Sequence, residues 1–206
     1  MNSNTRRAQV AGPAGVLRVA IDEPAAGVAP VGVAVVCHPH PQHGGTMDNK
    51  VAQTLARAFV QLGYRAVRFN FRGVGGSEGV WDEGQGEIDD ALAVIAALRE
   101  PALPLVLAGF SFGAYVTSQA AARLPEDAKA QRLVLVGPAT VNFTVAPVPA
   151  GTLVIHGEAD EVVPLGATFD WARPQALPVV VVPGVGHFFH GQLPLLKSIV
   201  VGAWQL

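Results

Sequence analysis

Gly109-Phe110-Ser111-Phe112-Gly113 sets a serine between two glycines, two residues away on each side. A serine hydroxyl is a poor nucleophile at neutral pH and needs a base within hydrogen-bond reach. G-x-S-x-G supplies the first part of that chemistry when it joins a strand to a helix. The turn is too tight for side chains beside the serine, and it lifts the hydroxyl at the strand's end. The flanks fit this reading, because residues 103–108 form an apolar run and residues 114–124 have a helical pattern. Alone, the pentapeptide would serve equally well as an ordinary turn.

The base and its partner follow later in the chain. Gly157-Glu158-Ala159-Asp160 comes after an apolar run at 152–156, and Pro183-Gly184-Val185-Gly186-His187 comes after four valines at Val179–Val182. Ser111, Asp160 and His187 thus each stand at the carboxyl end of a strand, where open parallel sheets bind ligands. In such a set His187 takes the serine proton and later gives it to the leaving group. Asp160 holds the other imidazole N–H and stabilises the imidazolium. His190 competes with His187 but falls at the start of the last helix. Glu158 and Glu161 compete with Asp160, whose shorter side chain suits a tight loop. The oxyanion needs backbone N–H donors, and Phe112, directly after the serine, offers one. The other should come from the loop after Cys37. Pro39 and Pro41 have no N–H, which leaves His40. Phe71, Trp81, Phe112 and Phe143 are candidate apolar walls for a substrate, with core packing the alternative for each.

Strand-like and helix-like runs alternate. Strands are predicted at 16–21, 31–37, 64–71, 103–109, 132–137, 152–156 and 179–182, and helices at 47–62, 87–99, 111–124, from near Pro164, and at 193–204. Alternation of this kind means crossover units and a parallel sheet. The 16–21 strand, behind a Gly-Pro turn, is predicted as an N-terminal antiparallel strand or one arm of a hairpin. Residues 139–151 are too short and Pro-containing to supply a helical lid. A chain of 206 residues suits a single domain, with residues 1–8 expected as a flexible N-terminus.

Half of the residues are hydrophobic, 15% are charged, and the net charge is −2 with no basic block. That composition does not recommend nucleic acid or an anionic membrane as partner. The polar N-terminus lacks a signal-peptide core and no apolar run reaches the length of a membrane span, so a cytoplasmic protein is expected. With one cysteine, Cys37, no intrachain disulfide is possible. Packing as a small hydrophobe is the expected role of that thiol, with reactivity near the oxyanion loop the alternative. His38-x-His40-x-x-His43 is similar to the H-x-H-x-D-H zinc signature of metallo-β-lactamase-like hydrolases. Gln42 stands where that signature has aspartate, and such a fold would not supply the serine turn, so no metal is expected. Gly73-x-Gly75-x-x-Glu78 lacks the third glycine of a dinucleotide loop. It is expected to join strand to helix, tethered by Arg72.

The whole set resembles the α/β-hydrolase superfamily, whose order along the chain is also Ser, Asp, His. More closely, it resembles a group of small, lidless bacterial hydrolases of little-known activity. The resemblance is carried by His38-Pro39-His40-Pro41, Gly44-Gly45-Thr46-Met47-Asp48-Asn49-Lys50, Arg68-Phe69-Asn70-Phe71-Arg72-Gly73 and the serine pentapeptide, and runs from about residue 10 onward. Gly186 departs from it, since relatives often have aspartate before the histidine. The resemblance implies an α/β-hydrolase fold, with a mostly parallel central sheet and helices on both faces. It implies a serine hydrolase that forms an acyl-enzyme with small acyl substrates, carboxylic esters first, without a cofactor. Thioesterase, peptidase or dienelactone-type hydrolysis on the same residues are alternatives. A silent binding or scaffold protein on this fold is a further one, but folding alone requires none of the three residues. The oligomeric state is left open between monomer and homodimer.

Overall fold

Short runs that are apolar at nearly every position build the middle of the sheet, because strands covered on both faces have no polar side. In the computed structural model, which describes residues 5–204, these are β3 (Val33–Cys37), β5 (Leu105–Phe110) and β6 (Arg132–Val136). Alternate residues of one strand enter opposite cores. Val33, Val35 and Cys37 pack on one side with α2 (Gln85–Leu98) and α3 (Phe112–Arg123), whereas Ala34 and Val36 pack on the other with α1 (Lys50–Gln61) and α5 (Leu193–Gly202).

The sheet has eight strands in the order β1-β2-β4-β3-β5-β6-β7-β8. The remaining strands are β1 (Thr5–Gly12), β2 (Gly15–Asp22), β4 (Arg65–Phe69), β7 (Leu153–Gly157) and β8 (Val179–Val182), and α4 spans Leu165–Ala172. The β1–β2 and β2–β4 pairs are antiparallel and every pair from β4 to β8 is parallel. This is the expected α/β-hydrolase fold with its N-terminal hairpin. No helix stands between β6 and β7, so no lid covers the strand ends there.

Two expectations need correction. Residues 5–8 are not a flexible terminus but the first half of β1, paired with β2 from Thr5↔Asp22 to Gly12↔Gly15; residues 1–4 lie outside the described residues. Only Val10 of β1 is buried, so backbone pairing at the sheet edge holds this strand, not an apolar pattern that periodicity could reveal. The helix expected from residue 47 begins at Lys50, because the Asn49 side chain accepts the Val51 and Ala52 N–H groups at 2.9 and 3.4 Å and caps it.

The Arg68–Arg72 segment carries polar residues at every second position. Arg68, buried, donates to Asp22 Oδ2 (3.0 Å), the Met47 carbonyl (2.7 Å) and Asp48 Oδ1 (3.1 Å). Asn70 Oδ1 accepts the Met47 N–H at 2.8 Å. Arg72 donates to both Asp90 carboxylate oxygens, from Nη2 at 2.8 Å and Nε at 3.0 Å, tying the loop after β4 to α2. The intervening Phe69 and Phe71 fill the core. Asp90 is fully buried. Arg72→Ala is expected to lower stability by about 3–5 kcal/mol in urea unfolding, since it strands a buried carboxylate. The double variant Arg72→Met/Asp90→Leu should recover most of that loss. A single variant as stable as the parent would show that the pair does not hold the loop.

Candidate active site

Ser111 occupies the one-residue step between β5 and α3 with φ 56° and ψ −119°, a conformation that costs a non-glycine residue energy. Its N–H donates to the Val136 carbonyl (2.9 Å), and its carbonyl accepts from Ala114 (2.9 Å) and Tyr115 (3.3 Å). These bonds hold the serine backbone on both sides of the step. The flanking glycines are required by close approach. A Cβ on Gly109 would lie 2.1 Å from the Gly113 carbonyl oxygen, and one on Gly113 would lie 2.3 and 2.5 Å from the carbonyls of Cys37 and His38. The second contact also shows that the loop after β3 lies against the first turn of α3.

The structure brings the three distant residues together. His187 Nε2 is 3.0 Å from Ser111 Oγ, and His187 Nδ1 is 2.7 Å from Asp160 Oδ2. Asp160 Oδ1 accepts the N–H groups of Val162 (2.9 Å) and Val163 (2.8 Å). Burial pushes the Asp160 pKa up, but the His187 and Val163 donors, with Val162, outweigh it and hold the carboxyl below its ordinary range. Asp160 is therefore an anion that can only accept, so the His187 hydrogen sits on Nδ1 and the Nε2 lone pair faces the serine hydroxyl. Ser111, Asp160 and His187 are 8%, 7% and 5% exposed, so the chain of bonds is sheltered yet still open at the serine. The competing groups lie elsewhere. Glu158 is exposed and accepts the Gly184 N–H (2.8 Å), Glu161 is exposed, and exposed His190 stacks beside Phe188 at 5.7 Å.

Phe112 is the first residue of α3, so its N–H has no partner within the helix and points out of the positive end of the helix dipole. His40 precedes a 3-10 turn at Pro41–His43, and its carbonyl accepts from His43 and Gly45. The His40 ring packs on His43 (4.5 Å), Trp81 (4.7 Å), Phe112 (5.1 Å) and Phe143 (5.9 Å). Desolvation, then the nearby charge of His43, lowers its pKa. Trp81 and Phe143 are half-buried in this aromatic group. Phe71 is not part of the wall: it is fully buried, 4.5 Å from the His38 ring, and belongs to the core behind.

His38 Nδ1 donates to the Pro39 carbonyl (2.6 Å) and Nε2 accepts the Phe71 N–H (3.2 Å), which leaves neither nitrogen for a metal ion. Among the described residues, no three His, Cys, Asp or Glu side chains gather as metal ligands. Burial pushes the Cys37 thiol up to about 12, so it packs as an inert hydrophobe. No helix among the described residues is long and apolar enough to cross a membrane.

Three neighbours of the site were not singled out from sequence. Gly137, with φ +49°, directly follows β6; a Cβ there would lie 3.3 Å from His187 Cε1 and 3.5 Å from Asp160 Oδ2. Phe188, 44% exposed, stands edge-on to His187 at 5.1 Å. Buried His156 lies 3.4 Å from Asp160 Oδ2. Glycine after a strand was the one signal available, and it is common in turns. Histidine inside an apolar strand run gave none.

The family model described as serine aminopeptidase, S33, matches residues 30–149. An α/β serine hydrolase without lid from Xanthomonas campestris is 41% identical, with a TM-score of 0.89 over 100% of this chain and 95% of that one. An α/β serine hydrolase homologue from Coxiella burnetii is 38% identical, with a TM-score of 0.83 over 98% of each chain. An uncharacterized protein of Rickettsia prowazekii (strain Madrid E) is 36% identical over 140 residues, which is 64% of this chain and 58% of that relative's length.

Two outcomes are expected. Gly137→Val should slow reaction of Ser111 with a fluorophosphonate by about 10²-fold through displacement of the imidazole; an unchanged rate would show that the glycine does not matter. Burial lowers the His38 pKa from 6.5 to about 4. Between those values the unfolded chain binds a proton that the folded chain refuses, so stability from this group is full above 6.5 and declines as pH falls toward 4. Urea midpoints at pH 7 and 5 should therefore converge in His38→Gln relative to the parent. An equal spread in both proteins would contradict this.

Proposed function

The chain belongs to the serine aminopeptidase, S33 family of α/β hydrolases, and on that footing we propose that it cleaves small acyl compounds, carboxylic esters first, through an acyl-enzyme on Ser111. The observation that carries this reading is the unbroken chain from Ser111 Oγ through His187 to Asp160, at 3.0 and 2.7 Å. Ser111 Oγ attacks the ester carbonyl carbon while its proton passes to His187 Nε2. The imidazolium keeps its Nδ1–H on Asp160. The carbonyl oxygen becomes an oxyanion, which the N–H groups of Phe112 and His40 stabilise. The C–O bond to the alcohol then breaks, and the alcohol leaves with the proton from His187. Water, deprotonated by the same nitrogen, attacks the acyl-serine, and collapse returns Ser111 and a carboxylic acid.

The substrate class follows from what surrounds the serine. Without a lid, long lipid chains lack the cover they need, so small soluble acyl compounds are favoured. Trp81, Phe143 and the His40 ring offer a half-buried aromatic flank to an apolar acyl group. The description of the matching family favours a second reading, amide cleavage at a peptide terminus. The residues would act in the same order, with an amine as leaving group.

Purified protein should hydrolyse short p-nitrophenyl esters, and Ser111→Ala should lower that rate by about 10⁴-fold or more. Thioesters and aminoacyl p-nitroanilides in the same panel separate the acyl classes. No turnover on any of them, or equal labelling of parent and Ser111→Ala by a fluorophosphonate, would sink the proposal.

A further inference from the structure

His156, near the end of β7, takes no step in the chemistry above, yet its ring is fully buried against the site. Nε2 lies 2.9 Å from the Val163 carbonyl oxygen and 3.4 Å from Asp160 Oδ2. Nδ1 lies 3.2 Å from Thr168 Oγ1 on α4. Both groups facing Nε2 are acceptors only, so Nε2 carries a hydrogen. Burial drives the ring toward its neutral form against the pull of the Val163 carbonyl and of Asp160, with the charge of His187 adding to burial. A neutral ring holds one hydrogen, so Nδ1 accepts and the Thr168 hydroxyl donates.

Val163 links this ring to the acid. Its carbonyl is held by His156, while its N–H donates to Asp160 Oδ1 at 2.8 Å. An aspartate carboxylate turns easily about its last torsion, which is broad and two-fold. Here Oδ1 is held by two backbone N–H groups and Oδ2 faces two imidazoles, His187 closely at 2.7 Å and His156 at 3.4 Å.

We infer that His156 is a positioning residue: held by Thr168 as an Nε2–H donor, it fixes the 158–163 loop and the rotation of Asp160 so that Oδ2 meets His187. The inference rests on the reading of Ser111, His187 and Asp160 as the reacting set. A carboxylate already oriented needs no reorganisation when the imidazolium forms, which is where such groups act.

The test makes His156→Leu and His156→Gln in the parent and in an Asp160→Asn background, with thermal melting beside each. Fluorophosphonate labelling of Ser111, and kcat and KM on p-nitrophenyl acetate, are read. In the parent background His156→Leu should lower labelling and kcat by about 10- to 10²-fold, with KM within about two-fold. His156→Gln, whose amide nitrogen can donate from the same place, should restore most of it. In Asp160→Asn the same leucine should cost no more than about two-fold, because its effect runs through the carboxylate. An equal loss in both backgrounds, or full activity of His156→Leu, overturns the inference. Should the leucine variant not fold, Thr168→Val carries the same comparison, with a loss expected only where Asp160 is intact and an equal loss in both backgrounds overturning it. Failure to label Ser111 in the parent defeats the triad reading and this inference together. Labelling that slows in Asp160→Asn leaves that reading standing, and the comparison then decides His156 alone.

Discussion

The approach of α3 to β5 and to the loop after β3 is the constraint on which the rest depends. Gly109 and Gly113 let backbone touch backbone there, with no space for a single methyl group. Ser111 has to make the turn in one residue, so it takes a left-handed φ that its neighbours enforce. That geometry lifts the hydroxyl, aims the first N–H of α3 outward, and presses the His38–His40 loop against the same helix turn. The raised serine hydroxyl and the outward N–H of Phe112 are thus products of one packing arrangement.

The electrostatics follow from which strands end nearby. β6, β7 and β8 lie in sequence beyond β5, so the loops after them reach back toward Ser111 one behind another. Gly137 keeps the nearest of these loops thin, and the carboxylate and imidazole carried by the next two meet in the space it leaves. The His187 ring and the Val163 and Val162 N–H groups hold the Asp160 carboxyl below its ordinary range despite burial. On the other side of the serine, Arg68 holds the loop before α1 through the Met47 carbonyl and Asp48, and Arg72 ties the loop before α2 to buried Asp90. Those loops carry His40 and Trp81 of the aromatic flank, while Phe143 comes from the loop after β6, so the bonds of this segment fix part of the surroundings of the serine.

Sequence made the fold legible where strands are buried on both faces, because a short β-branched run without polar interruption suits little besides a strand covered on each side. It also made Ser111, Asp160 and His187 legible, since each follows such a run and the order of the three is informative. It misled at β1, where only Val10 is buried and backbone pairing with β2 holds the strand. Phe71 looked like a wall residue because aromatic type does not say which side of a strand will be covered. Gly137 and His156 were illegible for a related reason. Their significance is a distance to His187 or Asp160, residues 50 and 4 positions away in the chain, and only the assembled fold creates it.

The central claim is that Ser111 carries the acyl group. Intact-mass analysis of protein quenched with acid during turnover of a slowly deacylated p-nitrophenyl ester tests it most directly, with peptide mapping to locate the added mass. One acyl group per chain is expected, on Ser111, appearing together with p-nitrophenol release and absent from Ser111→Ala. An acyl group on another side chain, such as Cys37, or undiminished turnover by Ser111→Ala, would contradict it.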